Sequence, residues 1–247
     1  MTTPTRMPLS LSKTFPVMII GPKVAEESAV GHSAHRIIEE LESRDRTVII
    51  SHSLDDAEAA MPAYPHLACL VISWGLVAES PDAIEQTLRI IRMLRDRSTG
   101  LPVILGASSL AARGEVPIEI IEEVEGYIWV PEDSPRFIAG RIDSAMRRYL
   151  DTILPPFFGA MVNFDGDHNY SWHTPGHTGG TAYMKTGVGR AFLNFYGEQM
   201  FRSDLSVSAD ALGSLNDHSG PTGEAEKYAA KVFGADHTFF SVGGNSS

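Results

Sequence analysis

Five short apolar runs constrain this chain more than any other feature: FPVMII (15–20), TVII (47–50), LACLVIS (67–73), PVILGA (102–107) and GYIWV (126–130). Strands that alternate apolar and polar residues have one wet face. Strands that are apolar throughout are covered on both faces, as in a parallel sheet flanked by helices. Helical patterns fill the intervals. Ala34, Ile37, Ile38 and Leu41 fall at the i, i+3, i+4, i+7 spacing of an amphipathic helix. Ser80-Pro81 opens a second helix in the preferred cap-then-proline order, with Ile84, Leu88, Ile91 and Leu94 as its expected inner face. A short helical piece is expected near 115–122. The alternation predicts an α/β fold: a receiver-like or flavodoxin-like parallel-sheet domain over 15–130, preceded by a polar tail at 1–14.

In open sheets of this kind, function sits at the carboxyl ends of the strands. Here those ends read Gly21-Pro22, Ser51-His52, Ser73-Trp74, Ala107-Ser108 and Pro131-Glu132. A phosphoryl-accepting site would need clustered aspartates there to hold a metal ion, and a nucleotide site would need a glycine-rich loop after the first strand. The sequence offers neither. The domain therefore reads as a scaffold, an assembly module or a regulatory unit.

Ser134-Pro135 opens a third helix whose stripe runs through Phe137, Ile138, Arg141, Ile142, Ala145, Met146, Tyr149, Leu150 and Ile153, with Arg147 and Arg148 on its polar side. The prolines of LPPFF (154–158) stop it, and 131–160 is expected to link two units. Beyond it the character changes, with glycines clustering and five of the nine histidines falling between 168 and 237.

Composition narrows the function classes. The net charge of −11 argues against a nucleic-acid partner, which needs surplus Lys and Arg. No run approaches the ~18 apolar residues of a membrane helix, and the N-terminus lacks the apolar core of a secretory signal. The single cysteine, Cys69, excludes an intrachain disulfide and fits a reducing compartment; it reads as a small buried core residue. A cytoplasmic setting is expected.

Four pieces of the third segment could carry chemistry. In YSWHTPGHTGG (170–180), Pro175 and Gly176 break any helix between His173 and His177, so the pair is not a helical metal clamp. Two readings stand: the histidines tie down a turn, or a rigid Pro-Gly loop presents them to a site. RSDLSVSADALGSLNDHSGP (202–221) ends in Asp217-His218, a candidate acid–base or metal pair. A helix starting at Pro221 has Ala225, Tyr228, Ala229 and Val232 as its expected inner face, and Gly234 as its stop. Lys227 and Lys231 lie four apart on it and read as a solvated face. HTFFSVGGNSS (237–247) reads as a short strand followed by two glycines, Asn245, Ser246 and Ser247; its GGNSS end is either a frayed tail or an anion cradle, in which glycine N–H groups and Asn or Ser donors approach a phosphate. Nothing has the tight ligand spacing of a zinc site, and no metal is expected.

Taken together these motifs are more specific than any alone. The ordered set TPGHTGG (174–180), FYGE (195–198), SDLSVS (203–208) and LGSLNDHSGP (212–221), followed by an apolar stretch and a glycine-rich loop, resembles the Orn/Lys/Arg decarboxylase family. The resemblance is strong over 150–247 and looser over the whole chain. It implies a receiver-like wing domain, a linker, and at 161–247 the start of a pyridoxal-phosphate-dependent transferase (fold type I) major domain. It further implies pyridoxal 5'-phosphate as cofactor, with Gly244, Asn245 and Ser246 contacting it and Ser246 matching the family's phosphate-contacting serine. His173, His177, Asp217 and His218 are candidate active-site lining residues. The substrate would be a basic amino acid and the assembly a homo-oligomer, a dimer or higher, up to a decamer.

Departures from the family pattern are also visible. Ala211 stands where the family has Glu, and Gly243 to Ser247 replace its N-G-T-S-T. No lysine has the Ser-x-His-Lys setting of the family's Schiff-base lysine, nor is the aspartate that pairs with the pyridine nitrogen present. The chain reads as the N-terminal portion of such an enzyme and, by itself, as inactive. The alternative is a non-catalytic assembly or regulatory module.

Overall fold

In the computed structural model, the described residues are 14–21, 29–74, 78, 82–98, 100–107, 116–130, 132–166, 175–205, 210–241 and 243. They fall into two compact units that divide between Ile153 and Leu154.

The first unit is the parallel α/β sheet that the apolar runs predict. β1 (Val17–Ile20), β2 (Val48–Ser51), β3 (Cys69–Ser73), β4 (Val103–Ala107) and β5 (Gly126–Trp129) pair in the order β2-β1-β3-β4-β5, all parallel. This 2-1-3-4-5 order is that of flavodoxin-like and receiver-like domains. Register aligns Val17 with Val48 on one side and Cys69 on the other. Met18, Ile20, Leu70, Ile72 and Leu105 are fully buried, which explains why these strands carry no polar alternation. Each side chain of this size contributes about 1.5–3 kcal/mol over its exposed state.

Helices α1 (Ala29–Glu42), α2 (Leu54–Ala60), α3 (Ala83–Arg97), α4 (Ile118–Ile121) and α5 (Pro135–Ile153) complete the unit. α1 buries Ile37, Ile38 and Leu41 as its spacing predicts. α3 corrects its prediction. Its buried face is Ala83, Thr87, Ile90, Ile91 and Leu94, whereas Ile84 is exposed and Leu88 only half-buried. The two stripes share Ile91 and Leu94, and Ala83 and Thr87 are buried in place of their neighbours Ile84 and Leu88.

Within the 131–160 stretch expected to link two units, α5 packs against α1 and belongs to the first unit. It buries Ile138, Ala139, Ile142, Ala145, Met146, Tyr149 and Leu150, while Phe137 and Ile153 from the expected stripe stay exposed. Asp143 is buried on the same face and pairs with the buried Arg46.

The second unit is helical among the described residues: α6 (Pro156–Gly166), α7 (Gly187–Tyr196), α8 (Glu198–Arg202) and α9 (Gly220–Phe233), with short 3₁₀ turns at Thr181–Lys185 and Asp210–Leu212. Pro156, which helps stop α5, is the first residue of α6, a position where a missing N–H costs nothing. α9 packs on α6. It has Pro221 in its first turn and ends at Gly234, whose φ of 64° lets its N–H reach back to the Ala230 and Lys231 carbonyls. Two expectations are corrected here. Tyr228 and Val232 are exposed, and the buried face of α9 is Thr222, Gly223, Ala225, Glu226 and Ala230. Residues 237–241 form no strand, because no partner strand pairs with them among the described residues.

Candidate functional site

The Pro-Gly turn that carries His177 is tightly wound. Gly180 N–H donates to the His177 carbonyl (2.9 Å), and Ala182 N–H donates to the same oxygen (3.1 Å). Thr178, Gly179 and Gly180 all have positive φ. Gly180 has a φ of 91°, which favours glycine there, and a Cβ would also crowd Leu193 Cδ1 at 2.9 Å.

The His177 ring is mostly buried. Its Nε2 lies 2.9 Å from Asp204 Oδ2, its face stacks on Tyr183 and its edge meets Phe201. A carboxylate only accepts, so Nε2 carries the proton. Nδ1 is buried and has no hydrogen-bond partner among the described residues. Tyr183, Phe192, Tyr196 and Phe201 continue the cluster ring to ring. His173 lies outside the described residues. His177 thus ties the turn to the segment after α8, one of the two readings its sequence allows, and leaves one ring nitrogen unused.

The second constellation is built on the turn before α9. Ser214 and Ser219 form an antiparallel bridge, and Thr222 Oγ1 donates to the Leu212 carbonyl at 2.8 Å. A Cβ on Gly223 would lie 2.0 Å from the His218 carbonyl oxygen, so the helix can start directly beneath the turn only with glycine there. His218 itself has a φ of 50°. The neighbours Asp217 and His218 bond to different partners. Asp217 Oδ2 accepts from Ser214 Oγ at 2.7 Å. His218 Nδ1 instead lies 2.8 Å from Glu226 Oε2 and 3.1 Å from Oε1.

Glu226 is the residue that sequence reasoning missed. It is 4% exposed, and its Oε1 also accepts the Phe240 N–H at 2.8 Å. That backbone donor is the main reason its carboxyl is held below the usual glutamate range, with the His218 hydrogen bond and charge adding to it against the cost of burial. A signal existed: Thr222, Gly223, Ala225, Glu226 and Ala230 share one helix face, and a lone carboxylate in a stripe of small residues marks an internal partner. Asp204 was missed as well, and no periodicity singles it out.

Phe239 lays its ring edge-on to His218 with centroids 5.2 Å apart and stacks on His237. Past it, Gly243 N–H donates to Ser241 Oγ at 3.3 Å. Gly244, Asn245 and Ser246, the expected phosphate contacts, lie outside the described residues. Of the lysines, Lys185, Lys227 and Lys231 are described and all are exposed. Among the described residues no three His, Cys, Asp or Glu side chains could hold a metal ion, and no helix is long and apolar enough to cross a membrane.

The chain matches two family descriptions in order: "Orn/Lys/Arg decarboxylase, N-terminal domain" over residues 29–149 and "Orn/Lys/Arg decarboxylase, major domain" over residues 155–247. A biodegradative arginine decarboxylase of Escherichia coli is 38% identical over 221 residues, covering 90% of this chain and 29% of the relative. A lysine decarboxylase of Pseudomonas aeruginosa is 38% identical over 236 residues, covering 94% and 31%. The solved structure of lysine decarboxylase A from P. aeruginosa superimposes with a TM-score of 0.74 at 36% identity, covering 92% of this chain and 30% of that one. The chain therefore spans under a third of the length of these relatives.

Proposed function

This chain belongs to the Orn/Lys/Arg decarboxylase family, and from that premise we propose that it serves in a pyridoxal-phosphate-dependent decarboxylase of a basic amino acid. The substrate class is lysine, arginine or ornithine, and the products are CO2 and the corresponding amine. The observation that carries the proposal is the ordered pair of family matches across both units, with homologues named as decarboxylases of arginine, lysine and ornithine.

The donor chemistry at the end of the chain fits the cofactor's phosphate. From Ser241 to Ser247 the sequence supplies glycine N–H groups, one amide and hydroxyls, with no carboxylate to repel an anion. Gly244, Asn245 and Ser246 would hold the phosphate. When bound, pyridoxal phosphate supplies the sink for the electron pair released as CO2 leaves. This chain's own part is positional. Glu226 and His218 fix the approach to the phosphate loop, and the Pro-Gly turn holds His177 at the rim. No lysine of the segment has the Ser-x-His-Lys setting of the family's Schiff-base lysine, so under this reading the 247-residue chain alone has no decarboxylase activity. The intact enzyme is a cytoplasmic homo-oligomer, a dimer or higher.

A second reading is an assembly or regulatory module built on the first unit, whose 2-1-3-4-5 parallel sheet is receiver-like. One experiment separates the two. The protein carrying this segment is purified with pyridoxal phosphate, its visible absorbance recorded, and CO2 release measured with lysine, arginine and ornithine. Turnover of one of them supports the decarboxylase. Absence of both cofactor absorbance and CO2 release with all three would leave the module reading.

A further inference from the structure

One face of α5 carries Phe137, Arg141, Ser144 and Arg148 at helical spacing, and that face fronts an open groove of about 670 Å³ within the first unit. Gly126 at the start of β5 and Gly140 on α5 have no side chains, which keeps the groove open between strand and helix. A Cβ on Gly126 would stand 3.1 Å from Arg141 Nη2, and one on Gly140 would stand 3.8 Å from Arg44 Nη1. Arg44, from the turn after α1, and Arg136, from the first turn of α5, also line it. Four guanidinium groups thus face one carboxylate, Glu125. Glu125 is taken by Arg148, 2.6 Å away. Arg141 donates to the Tyr127 carbonyl, and Arg44 donates to the Arg136 carbonyl at 3.3 Å and lies 4.0 Å from Glu40. The Arg136 guanidinium has no hydrogen bond or ion pair among the described residues.

Arg136 breaks a local rule. Cations are favoured in the last turn of a helix and disfavoured in the first, where the peptide dipoles leave a positive end. The first turn of α5 has no acidic residue to offset it, and Arg44 brings a second guanidinium to the same backbone. Cations gathered at a helix start, in a chain of net charge −11, suit an anion from outside the chain. We propose that this groove binds a small polyanion, a molecule with at least two phosphate or carboxylate groups. Arg136 and Arg44 hold one group at the helix start, and Arg141 holds another. A guanidinium suits either kind of group, because its paired N–H donors match two oxygens of one oxyanion. The spread of the arginines selects more than one group, since Arg136 and Arg141 are about 7.5 Å apart along the axis of α5. The ring of Phe137, 54% exposed, offers an apolar wall to the carbon skeleton. The groove lies wholly in the first unit and needs nothing from the decarboxylase reading.

The test is calorimetric titration of the protein that carries this segment, at about 0.15 M salt, with inorganic tripolyphosphate and with citrate. Pyridoxal phosphate is kept saturating, so that a phosphate site for the cofactor is not what is read. At least one of the two anions is expected to bind about 10-fold or more tighter than orthophosphate, and the tighter of them tells whether phosphate or carboxylate groups are recognised. Arg136→Gln and Arg141→Gln should each lower that affinity by about 10- to 100-fold. Arg136→Lys should restore only part of it, because an ammonium cannot engage two oxygens in the same way. Arg92→Gln, at an exposed arginine of α3 outside the groove, should leave it unchanged. The Arg136 side chain is exposed and bonds to nothing described, so Arg136→Gln decides the matter even where Arg141→Gln lowers the melting temperature. No binding of either anion at about 1 mM, an affinity no better than that of orthophosphate, or binding that both glutamine variants leave unchanged overturns the site. Loss of self-association in Arg136→Gln, with no anion bound by the wild type, also overturns it and assigns the groove to an acidic surface of a second copy.

Discussion

Arg46 and Asp143 lie 97 positions apart in sequence, yet Arg46 Nη2 sits 2.5 Å from Asp143 Oδ1 with both side chains almost wholly buried. Arg147 reaches the other carboxylate oxygen at 3.0 Å. One carboxylate thus fastens α5 to the turn that follows α1, within the first unit. The pair shares a face with Ile142 and Met146, so its geometry is enforced by apolar packing on either side.

Removing the carboxylate would take from the buried Arg46 guanidinium its ion-pair partner. Asp143→Ala is expected to destabilise the first unit by about 3–5 kcal/mol, the range for breaking one partner of a buried pair. Urea denaturation followed by circular dichroism measures it. A loss under about 1 kcal/mol would mean that water reaches the pair and that α5 is held by its apolar face alone.

Cys69 is fully buried in β3, and burial pushes its thiol well above the usual cysteine range. Little thiolate forms at neutral pH, and no reagent reaches it. Native protein should resist maleimide labelling for hours at neutral pH and label fully in denaturant, as read by mass spectrometry. Rapid labelling of the native state would show that the central strand opens locally.

The acid response of the second unit follows from Glu226. Its folded pKa lies below the ordinary glutamate value of 4.5. A group so depressed contributes stability that is fully present above its unfolded pKa and is lost as pH falls through the folded one. The Phe240 anchor should therefore be constant from neutral pH down to about 5 and weaken only below the ordinary glutamate range. Hydrogen exchange at Phe240 across pH, corrected for intrinsic rates, measures this. Weakening that begins above pH 5.5 would place the titrating group elsewhere.

The sheet was legible because parallel strands covered on both faces read as unbroken apolar runs, and all five runs became strands within about two residues of their expected limits. Rotation of the α3 face was not, since the buried Ala83 and Thr87 carry little hydrophobic signal. Contacts that depend on distant partners left no local trace, which is why Arg46 and Asp143 passed unnoticed. The strand expected at 237–241 failed for a related reason. Its composition suits a strand, but a strand exists only against a neighbour. At the site, the glycine-rich turns are legible in the sequence and their partners are not: nothing local links His177 to Asp204 or His218 to Glu226, eight residues on. His173 and the phosphate-loop candidates Gly244, Asn245 and Ser246 lie outside the described residues.

His177 offers the last test. Asp204, its hydrogen-bond partner, is largely solvent-exposed, so that link is worth about 0.5–1 kcal/mol. The ring itself is mostly buried between Tyr183 and Phe201, and its loss leaves a void in the aromatic cluster. His177→Ala is therefore expected to cost about 1–3 kcal/mol, and Asp204→Ala under about 1 kcal/mol. The double variant should show a coupling of no more than about 1 kcal/mol. Thermal denaturation of the four proteins closes the cycle. In the enzyme that carries this segment, turnover per folded molecule should fall less than stability does. Unchanged melting in His177→Ala, together with a large loss of turnover, would instead assign the buried, unpartnered Nδ1 to the reaction, making the loop a presenting device and the Asp204 contact its orienting partner.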